Sequence, residues 1–191
     1  EAPPAIISVY LGTQLEDVLA QLISTGSATS SIKRERLETG VNTLPDFAKD
    51  ATDRNRTATL AFTGNKFEFR AVGSVANCSS AMITLNTAMA HTLTCFRNRV
   101  DDLVAQGVSL ESAILKIVRE DIKYTRPIRF DGNGYSNEWL EEASLRGLDC
   151  ETSVPLIFDN YMTDKTIEMF SETGVMTKKE LEARNEVKWE T

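Results

Sequence analysis

Apolar residues recurring at three- and four-residue intervals predict helices along most of this chain. Leu15, Val18, Leu19, Leu22 and Ile23 keep that spacing across residues 13–25, and Gly26 marks the stop. A longer seam of Met82, Leu85, Met89, Leu93, Phe96, Val100 and Leu103 predicts a helix over 79–106, closed by Gly107, with Met82 and Met89 filling the core. Ser109 is placed to cap a third helix whose stripe of Ala113, Ile114, Ile117, Val118 and Ile122 runs to Thr125, where Arg126-Pro127 ends it. Ser136 predicts the cap of NEWLEEASLRG, anchored by Trp139 and Leu140. After the short apolar SVPLIF come two closing helices. The first is capped by Thr163 and stopped by Gly174; the second is expected to bury Leu181, Val187 and Trp189.

The period changes to two between Asp53 and Arg70. Gly64-Asn65 is a turn signal between TLAF and KFEF, so a β-hairpin is expected there. On its second arm Phe67 and Phe69 face one way while Lys66, Glu68 and Arg70 face the other. Successive charges on that face stand about 7 Å apart, which reads as too wide for tight pairing and suits a row reaching toward one extended anion and its metal. A solvated sheet face is the plain alternative. Arg54 and Arg56 bracket Asn55 ahead of the first arm. Upstream, Pro3-Pro4 holds the first residues extended, and the apolar run after them suits a short strand. Residues 24–50 are polar and turn-rich, predicting a surface loop in which Lys33, Arg34 and Arg36 alternate with Glu35 and Glu38; Leu44-Pro45-Asp46 predicts a turn or cap.

Composition narrows the classes. The chain has 191 residues, 41% of them apolar, and a net charge of −7, so it can bury a core and is a poor partner for nucleic acid or an anionic membrane. No apolar run approaches the roughly 18 residues of a membrane span, and no secretory leader is visible, so a cytoplasmic location is expected. Cys78, Cys95 and Cys150 lack metal-site spacing and read as reduced, partly buried structural thiols. His91 is the single histidine and, with no partner identified at ligand spacing, reads as structural. In FDGNGYS the glycines lack the lysine that a phosphate cradle uses, so capping by Ser136 is the expected role.

The residues R-N-R-T, then K-F-E-F-R on a strand, resemble the signature of the glutamine synthetases. FTGNKFEFR is similar in particular to their type III branch, as are the opening EAPPAII, FDGNGYSNEW and TKKELEARNEVKWE. The resemblance spans nearly the whole chain. It implies an α+β fold: an antiparallel portion of the active-site sheet, carried by the hairpin, followed by a mostly helical C-terminal part. Residues 1–76 would hold flap, helix, loop and hairpin, and 77–191 the helical region, all within one catalytic domain.

By that resemblance the reaction is ATP-dependent joining of glutamate and ammonia through a γ-glutamyl phosphate, with Mg²⁺ or Mn²⁺. Glu1 would be the flap glutamate that takes a proton from ammonium, Arg56 and Arg70 would hold the glutamate carboxylate and the transferring phosphoryl, Lys66 and Arg56 would touch ATP, and Glu68 would ligate metal. Lys66 stands where many members have Arg, and Ala61 where the type I branch has a further arginine. The remaining metal ligands and the N-terminal domain lie upstream in that family, and the chain opens inside a motif without Met. It is therefore expected to be a piece of a longer enzyme and not to make glutamine alone. The family also implies a large homo-oligomer, a dodecamer. Two alternatives stay open: a γ-glutamyl-amine or polyamine ligase of the same fold, and a non-catalytic helical assembly module.

Overall fold

A computed structural model describes residues 6–29, 36–37, 47–48, 58–70 and 77–190. In chain order these form β1 (Val9–Tyr10), α1 (Thr13–Thr25), β2 (Arg36–Leu37), β3 (Phe47–Ala48), β4 (Leu60–Phe62), β5 (Phe67–Phe69), α2 (Ser79–Ala105), α3 (Leu110–Tyr124), α4 (Asn137–Leu145), α5 (Val154–Asp159), α6 (Asp164–Glu172) and α7 (Lys178–Glu190). Single 3-10 turns at Arg126–Ile128 and Asn160–Met162 link helices. The class is α+β. The chain divides into two units, residues 1–72 with 118–150 and residues 73–117 with 151–191.

The first unit is built on a three-stranded sheet of order β1-β4-β5. β4 and β5 form the expected antiparallel hairpin, pairing Leu60 with Phe69, Ala61 with Glu68 and Phe62 with Phe67. Gly64 adopts φ 98°, a left-handed conformation that costs glycine little, and the Thr63 amide closes the turn onto the Lys66 carbonyl at 2.9 Å. β1 adds in parallel, Val9 beside Leu60 and Tyr10 beside Ala61. Its other edge makes a single parallel bridge to Arg129, and the Phe130 amide donates to the Val9 carbonyl at 3.0 Å. Ser8 and Thr59 are buried, and the Thr59 hydroxyl is satisfied on both counts: it accepts from the Ser8 amide and donates to the Ile6 carbonyl. Within the stretch predicted to be loop, β2 and β3 pair antiparallel over two residues each, too short to leave a periodic signal. Leu44-Pro45-Asp46 lies outside the described residues.

α1 keeps its expected bounds. Gly26 turns left-handed at φ 84° and its amide returns to the Leu22 carbonyl, while Arg119 donates to the Ile23 carbonyl at 2.9 Å, serving the helix's orphan acceptors. α4 starts as expected, with Ser136 Oγ accepting from the Trp139 amide at 3.2 Å. Trp139 is buried, stacked on Phe130 with ring centroids 3.7 Å apart, and Arg146 lies over it at 5.3 Å. A Cβ on Gly132 would come within 2.8 Å of the Phe130 ring, so the glycine of FDGNG makes room for that stack. Leu140, expected as a second anchor, is exposed instead.

The second unit is helical. Val100 on α2 packs with Ala113 and Ile117 on α3, flanked by Phe96, Leu103 and Val108, and Phe170 on α6 and Leu181 on α7 are buried. Along the long seam of α2, Val100 is buried and Leu85, Phe96 and Leu103 are half-buried. Met82, Met89 and Leu93 are 46%, 59% and 58% exposed, so the two methionines do not fill a core. Ile114, Val187 and Trp189 are likewise exposed. A periodic seam is buried only where another element lies across it, and on α2 the side carrying buried Thr87 and His91, which meets Glu172 of α6, is not the side of Met89. SVPLIF contributes a helix of its own, α5, with Pro155 in its first turn, where a missing amide costs nothing. Thr163 Oγ1 accepts from the Thr166 amide as expected, and Gly174 stops α6 at φ 68°.

Cys78 and Cys95 are exposed rather than partly buried, Cys150 is half-buried, and all three are free thiols. His91 has partners after all: Nδ1 stands 3.4 Å from Glu172 Oε2, and Nε2 stands 3.6 Å from Cys95 Sγ. Cys95 lies four residues on along α2, a spacing that is visible in the sequence. No described helix is long and apolar enough to cross a membrane.

Candidate functional site

The hairpin register decides which side chains share a face. Phe67 lies over Phe62, ring centroids 5.3 Å apart, so Lys66, Glu68 and Arg70 point to the opposite side, the side of the fully buried Ala61. Residue 70 is tied to the sheet by its amide, which donates to the Thr59 carbonyl at 2.7 Å. The row is therefore positioned by backbone pairing and not by a free loop.

Its side chains do pair, contrary to the expectation from their spacing. Lys66 Nζ approaches Glu68 Oε1 at 3.5 Å and Arg70 Nη2 donates to Glu68 Oε2 at 3.1 Å. Strand positions two apart are far apart at the backbone, but lysine and arginine are long enough to lean back onto the shorter carboxylate between them. The face is graded in depth: the Arg70 side chain is 21% exposed and that of Glu68 40%, with Lys66 outermost. The Arg70 hydrogen bond, opposed in part by burial and aided by the lesser contact with Lys66, holds the Glu68 carboxyl below the ordinary glutamate range. Glu68 is thus an ionised carboxylate flanked by two cations. Such a row can offer an oxygen to a cation and two positive groups to an anion.

Of the residues expected to form the site, the structure brings together Lys66, Glu68 and Arg70. Glu1 and Arg56, with Arg54 and Asn55, lie outside the described residues. Among the described residues no group of three or more histidine, cysteine or carboxylate side chains is arranged to hold a metal. Glu68 fits the part of one ligand, oxygen-bearing and ionised, and cannot make a complete site with the other described residues.

Comparison with known proteins bears on the whole stretch. Residues 113–191 match the glutamine synthetase C-terminal domain. Over its full length the chain is 42% identical to a glutamine synthetase of Bacteroides fragilis and 40% identical to a type-3 glutamine synthetase of Dictyostelium discoideum, covering 26% of each. A glutamine synthetase of Butyrivibrio fibrisolvens is 33% identical over 98% of the chain, again 26% of the relative. The chain thus spans about a quarter of the length of the relatives it matches. The hairpin motif lies within the stretch aligned to these relatives and residues 113–191 match the C-terminal domain model, so the chain is similar to glutamine synthetases along its whole length.

Proposed function

We propose that this chain carries part of the active site of an enzyme that makes glutamine from glutamate and ammonia, spending ATP and passing through a γ-glutamyl phosphate. The observation that carries the reading is the ordered row Lys66–Glu68–Arg70, fixed on a strand and graded from open to buried. In this reaction a carboxylate attacks a polyanionic phosphate, so positive groups must lie along the line of transfer. Arg70 is suited to that role because one end of its guanidinium is oriented by Glu68, which leaves a planar cation steered toward substrate. Lys66, more exposed on its flexible stem, is the group that meets ATP phosphate. Glu68 contributes one ligand to a divalent ion, which when bound would neutralise phosphate charge. Arg56 joins Arg70 in holding the glutamate carboxylate and phosphoryl group, and Glu1 takes the proton from ammonium.

These five residues do not by themselves complete a metal-dependent ligase, so the 191-residue chain alone is expected to form no γ-glutamyl hydroxamate from glutamate, ATP and hydroxylamine. A polypeptide carrying the chain as a quarter of its length, as in the relatives, is expected to form it and to prefer ammonia over polyamines in glutamyl transfer. Turnover by the isolated chain would refute the first statement, and a preference for polyamines would refute the choice of amine.

A further inference from the structure

In the first unit a cavity of about 570 Å³ opens where the start of α1 meets the segment running into Phe130. That volume lies within the range of small-molecule sites. We propose that it binds a small metabolite bearing an oxyanion, a phosphate or carboxylate group, held by the first turn of α1 together with Arg129, Arg126 and Lys123.

Two independent features point to an anion. Gly12, in the cavity wall, is the N-cap of the thirteen-residue α1 and adopts φ 83°; having no side chain, it gives the first-turn amides no side-chain cap. Uncapped amides at a helix start attract negative charge. Arg129 lines the same cavity with only 10% of its side chain exposed, and its Nε and Nη1 are buried without a hydrogen-bond partner. Glu16 Oε2 stands 3.5 Å from Nη1, near enough to pair in charge yet making no hydrogen bond. Guanidinium donors buried without acceptors are costly, and an oxyanion in the cavity would supply those acceptors.

The rest of the wall supports this. Lys123 and Arg126 are exposed on the rim, and no ion pair or hydrogen bond engages either side chain among the described residues. Arg146 is committed elsewhere, donating to the Pro127 and Arg129 carbonyls and to Glu142. Glu16 and Asp131 oppose the cations and would select against ligands richer in negative charge than the rim can neutralise. The sheet order separates this cavity from the ionic row: Arg129 bridges to β1 on one side, whereas Lys66, Glu68 and Arg70 belong to the β5 side of β4.

Trp139 is a built-in reporter, since it stacks on Phe130, another wall residue. In the 191-residue chain with Trp189→Phe, so that Trp139 is its one tryptophan and is excited selectively at the red edge, titration with inorganic phosphate and separately with succinate is expected to give a saturable change with Kd at or below about 1 mM for at least one of them. The anion that binds more tightly names the source. Lys123→Ala with Arg126→Ala, both exposed and so not expected to alter the circular dichroism melt, should weaken binding about tenfold or more, and Arg129→Gln should abolish it. Lys66→Ala should leave it unchanged. No saturable response to either anion, a response retained by the double variant, or one removed by Lys66→Ala would overturn the proposal.

Discussion

Glu68 is where local chemistry and proposed function meet. Its carboxyl is held below the ordinary glutamate range by Arg70 first and Lys66 second. A carboxylate depressed in the folded state contributes stability that is present above its unfolded pKa and lost as pH falls through its folded value. Acidification should therefore release the Lys66–Glu68–Arg70 contacts only below the usual glutamate titration. A carbon-13 titration of the Glu68 carboxyl is expected to show a lowered midpoint, moving up toward the ordinary value in Arg70→Ala; an unshifted wild-type midpoint would contradict the contacts. Alternation along KFEFR makes it legible that these three residues share a face. Their pairing is not, because backbone spacing says little about how far lysine and arginine can reach. Trp139 shows the converse. Its role as an anchor is legible, and it is buried in a stack against Phe130: Trp139→Ala is expected to cost about 3–5 kcal/mol in chemical denaturation.

Helix ends carry most of what can be read at the scale of elements. Ser136 and Thr163 cap α4 and α6 because a hydroxyl one residue ahead of a helix can accept from its first-turn amides, a rule local enough to survive without knowledge of the fold. Ser136→Ala should lower stability by about 1 kcal/mol, seen as a lower urea midpoint at unchanged slope. A shift in the slope instead would mean that the loss is not confined to the cap. α7 adds a capping box in TKKE beyond the expected caps: the Thr177 amide donates to Glu180 Oε2 at 2.8 Å and the Glu180 amide returns to Thr177 Oγ1. Burial is harder to read. The seam of α2 looks uniform in sequence, yet Val100 is buried and Met89 exposed, because the choice depends on where α3 lies and not on the seam. β1 illustrates a third limit. A two-residue strand that joins β4 in parallel, across a connection containing α1, leaves little more than an apolar run as its trace.

For the whole molecule, the resemblance to glutamine synthetases is legible from short motifs whose order runs along the chain, and the similar proteins share it over 98–100% of the chain, which covers 26% of their length. Within each of its two units the described residues supply packing, and in the first they also place three members of the proposed site on one strand and its extension. Glu1 and Arg56 lie outside the described residues, so their part in the reaction rests on the motif. The most direct measurement of the central claim is the dependence of glutamine formation on Mg²⁺ and ATP, made in a polypeptide of the relatives' length carrying Glu68→Ala or Arg70→Ala. The account predicts a raised metal requirement for Glu68→Ala and a fall in kcat of about a hundredfold or more for Arg70→Ala, with both proteins folded. Wild-type kinetics in either variant would contradict it.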